Sequence, residues 1–457
     1  MANPNSADII AKNLADKICA QIKEKNCLFE DPTVEGVTEP VQPTKSIDGR
    51  EYTNQTNMLI TLLNSMFQPE YGYKYATKYK IKSLGGNLRK GQSIKPIIIE
   101  KNFMMYAEKP KEKPKIWPYA DKEKQKDLKA KGIKPFWVRR TSEVFNVKGQ
   151  TEHLPDKYYP APVPQKLGDQ KFIMDANHIM KKVIESNDIK ISNKVCTPHV
   201  SMKKGKVISA KINIPEIQYF KSPQQYFSTL LHEVVHHTGT PDRLGFLSFK
   251  SNKRTQHYAH EELRAEIGSV YMCAQLGLPF ENHIDNHAGY CKGWLNALEN
   301  NPSFILDVTS DVVLTGRFLE NNSPEMNVFF KACKSDFEKH LVSLCIASGK
   351  DVESMLENMA DGKAKGITRL SHYHMSCVAM NYPDECGVTK EFMFSINTPE
   401  EDIKAMRQAY RESAQSVANG LVERIEKAFD EKYEEVVASE IKSDMKSQPS
   451  DSPSLSM

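Results

Sequence analysis

Long apolar runs are missing from this chain. Nowhere in its 457 residues does one approach the ~20 needed to span a bilayer. No apolar stretch follows a basic start, so a signal peptide is not expected. The nine cysteines are odd in number and scattered from Cys19 to Cys386, and no two form a CxxC. That excludes a disulfide framework and leaves reduced, buried thiols. No segment repeats another. These absences predict a soluble, cytoplasmic protein without a membrane partner. What is present is ordinary in amount, with 39% apolar and 26% charged residues, and its length suits two to four domains.

The net charge of +4 hides an asymmetry. Residues 1–150 hold 27 Lys and Arg against 17 Asp and Glu, while residues 320–457 hold 16 against 24. A basic front suits an anionic partner. An acidic back could cover that front from within the same chain. A lysine-rich surface that is merely solvated would show the same count.

The pattern along the chain predicts an α+β protein. Ile9, Ile10, Leu14, Ile18 and Ile22 recur at helical spacing behind a Ser6 cap. Asn57 to Phe67 reads as a second helix, and Ile97–Ile99 and Val144–Val147 read as strands. A Pro-rich connection, LPDKYYPAPVPQK, closes the front part. Next come a helix over 170–190, short strands including VISAKINIP, and helical segments to the end. The expected domains are 1–155, 165–320, a helical extension over 321–440, and a polar disordered tail over 441–457.

Within STLLHEVVHHTG, His232 and His236 stand four apart, which on a helix puts both on one face. The pair suits one zinc ion, which would bring a water's pKa to about 7, with Glu233 beside it as general base. The five-residue pattern alone is weakly specific, and a surface helix could carry it. Leu230, Leu231, Val234 and Val235 argue instead for a buried helix, where charge needs a partner or a metal. His237 leaves the ligand face and reads as a packing residue. A third ligand is required, and Glu262 and Glu266 offer two carboxylates one turn apart. Glu262 is the preferred ligand, with Glu266 as an outer carboxylate orienting a histidine; the reverse stays open. Glu261 falls off that face, either solvent-exposed or bonded locally. Asp242 and His260 are weaker ligand candidates.

The blocks SPQQYFSTLLHEVVHHTGTPDRL, YAHEELRAEIGSVYMCAQLGL and HAGYCKGWLNAL resemble the ArdC-like antirestriction proteins. Those join an N-terminal single-stranded-DNA-binding domain to a zincin-like metallopeptidase domain. TNMLITLL, ATKYKIKSLGGNLRKGQ and VFNVKGQTEHLP resemble the family's DNA-binding part. The resemblance covers roughly residues 5–320. It implies zinc on His232, His236 and Glu262, with Glu233 as base, in a bacterial host cell entered by a plasmid or phage. His237 stands where the family has Trp, Ala210 where it has Asp, and Tyr75 where it has another Trp. The spacing from Tyr52 to Asn57 is one residue longer than the family's.

A physical case for nucleic acid stands beside the resemblance. Cations neutralise phosphates, and aromatic faces stack unpaired bases at roughly 1–3 kcal/mol each. Lys101–Arg140 interleaves both kinds of residue, and Lys78, Lys80, Lys82, Arg89 and Lys90 surround Gly85 and Gly86, which could let backbone approach a phosphate. The expected contacts are these lysines with Arg89, plus Tyr75, Asn57, Trp117, Arg139 and Arg140. Core packing is the competing reading for each aromatic. His372 and His374 near Cys377 and Cys386 fit no familiar metal spacing and read as structural. Tyr290, or His287, would donate to the oxyanion of an attacked carbonyl, against a simpler packing of Tyr290 on Trp294.

The function expected is an antirestriction-type protein that binds single-stranded DNA and carries a zinc peptidase-like site, with a host protein as substrate if it cleaves. The alternative is an intracellular zinc metallopeptidase acting on a regulatory or defence protein, its basic domain recognising protein. A purely structural metal has no use for Glu233.

Overall fold

The computed structural model describes residues 5–25, 27–29, 41–52, 54–67, 72–89, 96–109, 112–118, 121–159, 169–195, 198–203, 209–247, 256–281, 287–363, 370–389 and 398–447. It is a mixed α+β chain of two compact units, each assembled from separated segments. One comprises Met1–Ile179, Pro215–Val235 and Asn252–Val313. The other comprises Met180–Ile214, His236–Ser251 and Leu314–Met457.

The first unit is built on a five-stranded sheet ordered Lys45–Ser46, Lys74–Ala76, Phe136–Asn146, Ile97–Tyr106, Lys115–Ile116. Its spine is the long antiparallel ribbon of Ile97–Tyr106 with Phe136–Asn146, in register from Ile97 opposite Val144 to Met105 opposite Phe136. Ile97, Ile99, Val144 and Phe145 bury one end of it. Helix Ser6–Lys25 packs there through Ile10, Leu14, Ile18 and Ile22. Asn13 adds bonds to Pro96 O and Ile98 N–H, both at 3.4 Å. This helix is capped one residue earlier than predicted. Asn5 Oδ1, not Ser6, accepts from Asp8 N–H at 3.0 Å, because an Asn side chain reaches the third amide equally well.

Helix Gln55–Phe67 is buried from Asn57 to Phe67, as its apolar composition demands. The far end of the ribbon has its own small core of Tyr106, Trp117 and Leu128. The Tyr106 and Trp117 rings meet edge-on at 5.8 Å.

The second unit holds a three-stranded sheet ordered Ile191–Ser192, Ser209–Asn213, His199–Lys203 and a set of helices over 327–447. The last helix, Glu400–Ser447, presents Ile403, Met406, Tyr410, Ala414, Ala418, Leu421 and Ile425 as one buried seam. Spacings of three and four keep that seam on one side of a helix. The helix runs to Ser447, past the 440 boundary expected for the helical extension. Residues 448–457 lie outside the described residues. Among the described residues no helix is long and apolar enough to cross a membrane.

Candidate metal centre and basic ribbon

The metal helix spans Pro223–Thr238. Its start is fixed by Ser222, whose hydroxyl accepts from Gln225 N–H at 3.0 Å, and by Pro223 in the first position, where no amide is needed. Gln225 reaches back to Lys221 N–H at 3.1 Å. Leu230, Leu231, Val234 and Val235 are buried as expected, and so are His232, Glu233 and His236.

The helix that follows the turn, Gln256–Leu276, supplies the carboxylates. It lies against the metal helix at Gly268, where an added Cβ would stand 2.8 Å from Val235 Cγ1, so only glycine permits the approach. One turn earlier a buried arginine ties the same pair. Arg264 Nη2 donates to Val235 O at 3.0 Å, and its guanidinium forks onto Glu261 at 2.8 and 2.5 Å. Glu261 is thus bonded locally, three residues back, and is buried; its solvent-exposed alternative is corrected.

His232 stands between two carboxylates. Its Nε2 is 3.6 Å from Glu262 Oε2, and its Nδ1 is 3.4 Å from Glu266 Oε2. His232, His236 and Glu262 each offer a ligand atom, all within 4.8 Å of one another and all buried. Zinc bonds of about 2.0–2.2 Å in a tetrahedron separate ligand atoms by roughly 3.5 Å, so the set fits one divalent ion. Two imidazoles and one carboxylate leave a fourth position open, the composition of a catalytic and not a structural site. Glu266, wholly buried on the other ring nitrogen, has the placement of an orienting carboxylate.

The remaining candidates separate cleanly. His237 is buried, and burial with the nearby Arg243 charge holds its pKa well below the usual imidazole value, against a bond to the Ala210 backbone that acts the other way. It is a neutral packing residue. His260 is buried 3.7 Å from Asp311 and edge-on to Phe304. Asp242 accepts from the Thr240 hydroxyl at 2.7 Å. Tyr290 and His287 lie in helix His287–Asn300, and their side chains are outside the described residues. Trp294 of that helix is buried and donates to Ala259 O at 2.8 Å. His372 and His374 lie on a helix, not a strand, and both are engaged in protein contacts.

Of the residues expected to touch nucleic acid, three are corrected. Tyr75 is fully buried, its hydroxyl bonded to Asn64, Ser65 and Thr61 O at 2.8–3.0 Å. Asn57 is buried and pins Glu100 through both backbone groups at 2.6 and 2.9 Å. Trp117 belongs to the small core. Each of the three closes a polar or apolar contact inside and is withdrawn from the surface. Gly86 also departs from expectation. Its missing side chain makes room for Leu154, 2.6 Å from where a Cβ would stand, so it serves packing.

The exposed set is different. Arg139 and Arg140 are exposed on the ribbon, although Arg139 pairs with Glu100 at 3.3 Å. Trp137 is 64% exposed, Phe136 42% and Tyr79 83%, unusual values for large rings. Lys101 Nζ lies 5.4 Å from the Phe103 ring centre. Lys78 and Lys82 line a cavity of about 440 Å³ with Asn87, Glu152 and His153. Lys80 pairs with Asp48 at 3.1 Å, and Arg89 is tied to Thr151 O and Lys148 O. Lys90 lies outside the described residues. Tyr79, Phe136 and Trp137 were the exposed rings to find; alternation along the strand puts Trp137 on the face opposite buried Val144, whereas Phe136 shares the Val144 face and carried no such signal.

Comparison with known proteins assigns the middle of the chain. Residues 192–311 match the family described as zincin-like metallopeptidase, and this part of the chain is a zincin-like domain. The DNA primase TraC of Escherichia coli is 24% identical over 308 residues, which is 65% of this chain and 19% of TraC. The chain thus spans about a fifth of that relative. The protein y4eC of Sinorhizobium fredii is 33% identical over 99 residues, 22% of this chain and 32% of its own. Among solved structures, metal-free antirestriction protein ArdC of plasmid R388 aligns at TM-score 0.44 and 23% identity, over 68% of this chain and 97% of its own. Its Mn(II)-bound form aligns at 0.43 and 25%, over 69% and 98%.

Proposed function

We propose that the chain is an antirestriction-type protein of a mobile element or phage that binds single-stranded DNA and carries a zinc metallopeptidase-like site. The observation that carries the metal half is the buried meeting of His232, His236 and Glu262 beside Glu233. Bound zinc would supply a Lewis acid and an acidified water. The chain's own part is then distributed. His232 and His236 present ring nitrogens, Glu262 one carboxylate oxygen, and Glu266 fixes the His232 ring from its other nitrogen. Glu233, buried beside this set, would hold the proton given up by the water, and Tyr290 is the donor assigned to the oxyanion of an attacked carbonyl in this reading.

The DNA half is supported by composition and exposure together. The ribbon and its neighbours expose Arg139, Arg140, Lys78 and Lys82 together with Tyr79, Phe136 and Trp137. Cations track a backbone, and rings stack on bases that are free of a duplex. We place the strand on these residues and not on Tyr75, Asn57 or Trp117. The name DNA primase, carried by the TraC relative, also points to nucleic acid. The domain limits 1–155, 165–320 and 321–440 remain part of the same reading.

The test is fluorescence anisotropy of labelled single- and double-stranded oligonucleotides against the full chain, with salt varied. Preference for the single strand, with a slope of about −0.7 per phosphate contact, is expected. Equal affinity for both forms, or no binding, overturns the DNA half.

A further inference from the structure

The turn that leaves the metal helix is gripped from a distance in sequence. His340 Nδ1 donates to Arg243 O at 2.9 Å, and His374 Nε2 donates to Leu244 O at 2.5 Å. Asn381 Nδ2 donates to Gly245 O at 3.0 Å and Leu247 O at 2.9 Å. The Tyr382 hydroxyl donates to Pro241 O. These side chains come from helices Asp336–Ala347 and His372–Asn381 and the residue after the latter. His236, the turn and both helices belong to the same compact unit.

The chemistry of the contacts fixes the tautomers. A carbonyl only accepts, so His340 carries its proton on Nδ1 and His374 on Nε2. His340 Nε2 is left as an acceptor for the Tyr410 hydroxyl at 3.0 Å. Burial brings the His340 pKa down to about 4, so the ring stays neutral at pH 7 and keeps this arrangement. Gly245 has φ +77°, and a Cβ there would stand 3.3 Å from His340 Nδ1. Only glycine adopts that backbone cheaply while lying so close to the ring. The turn in its own right folds back on the helix end. Gly239 N–H bonds His236 O at 2.9 Å, Leu244 N–H bonds Thr238 O at 3.0 Å, and Leu247 N–H bonds Gly239 O at 2.6 Å. A shift in the gripped carbonyls therefore reaches the last turn of the helix, where His236 projects.

We infer that helices 336–347 and 372–381 brace the metal helix, with His340, His374 and Asn381 as positioning residues that fix the direction of His236. The zincin-like match ends at residue 311, so the brace lies outside the matched part of the chain. The inference rests on the metal reading above and gives the C-terminal helices a role in that site.

The test uses the full chain and Zn²⁺ alone, titrated against a competing chelator, with hydrogen exchange over 232–247 and the Co²⁺ absorption spectrum measured beside it. H374L and N381L are expected to weaken zinc binding about tenfold, the low end of outer-contact effects. They should also change the Co²⁺ spectrum and speed exchange in 239–247. H374Q, which keeps an N–H near the place of Nε2, should restore most of the affinity. Leucine variants that fold and bind zinc as wild type does overturn the inference. So does an H374Q variant as damaged as H374L, since packing alone would then explain the loss. If H374L does not fold, Asn381→Ser, at a partly exposed position, takes its place in the comparison. A wild type that binds no zinc overturns the metal reading and the inference together, and the wild-type titration tells that outcome from a failure of the brace alone.

Discussion

The metal centre and the basic ribbon depart from the usual distribution of side chains in opposite directions. At the centre, His232, Glu233, His236, Glu262 and Glu266 are withdrawn from water into an apolar surround of Leu230, Leu231, Val234 and Val235. On the ribbon, Phe136 and Trp137 are left in water beside Arg139 and Arg140. Buried charge costs several kcal/mol unless it is paired or bound to a metal, and an exposed ring forgoes up to about 3 kcal/mol of burial. Each arrangement is costly in the bare chain, and the ligands proposed for the two differ in kind: a small cation for the buried carboxylates, a polyanion with flat faces for the exposed cations and rings.

That contrast can be broken in several places. The largest effect belongs to the buried ion pair whose arginine links the two helices of the candidate centre. Glu261→Gln leaves Arg264 charged and unmatched in a dry interior, which should cost about 3–5 kcal/mol in denaturant unfolding. A loss under 1 kcal/mol would mean that the pair is not buried as described.

Acid should act next, through a group held neutral. His340 has its pKa depressed from 6.5 to about 4, so the unfolded chain binds the proton first and stability falls as pH drops between those values. The contribution is fully present above pH 6.5 and amounts to about 3 kcal/mol. Urea unfolding of His340→Gln across pH 7 to 4 should be flatter than that of wild type. Parallel curves would remove His340 from the account.

Glu266→Ala should weaken zinc binding about 10–100-fold while leaving one ion per chain, as loss of an orienting carboxylate does. On the ribbon the expected effect is smallest and most specific. Trp137→Ala should cost roughly 1–3 kcal/mol of single-strand binding with unfolding unchanged. Trp117→Ala should do the reverse, destabilising the fold by about 3–5 kcal/mol. If both variants lose affinity equally, the ribbon is not the contact surface.

What was legible in the sequence was whatever helical geometry converts directly into proximity. The i,i+4 spacing of His232 and His236, and of Glu262 and Glu266, states which side chains share a face, and the structure brings His232, His236 and Glu262 together. The apolar neighbours stated that the helix is buried. What crosses between elements was not legible. Gly268 is an unremarkable glycine until Val235 is found against it, and Arg264 looks like a surface residue until Glu261 and Val235 O enclose it. The grip on residues 241–247 joins positions 97 to 141 residues apart, which no local pattern encodes. On the ribbon, composition placed aromatics among cations correctly but could not say which rings turn inward. Trp117 packs on Tyr106, whereas Trp137 lies opposite Met104 and faces out.

The most direct measurement is the metal content of the purified full chain, by elemental analysis after zinc loading and desalting, for wild type and Glu262→Ala. The account predicts one zinc per wild-type chain and a Glu262→Ala variant weakened more than Glu266→Ala, beyond about 100-fold. A wild type without zinc, or a Glu262→Ala variant that keeps its ion while Glu266→Ala loses it, would contradict the centre described here.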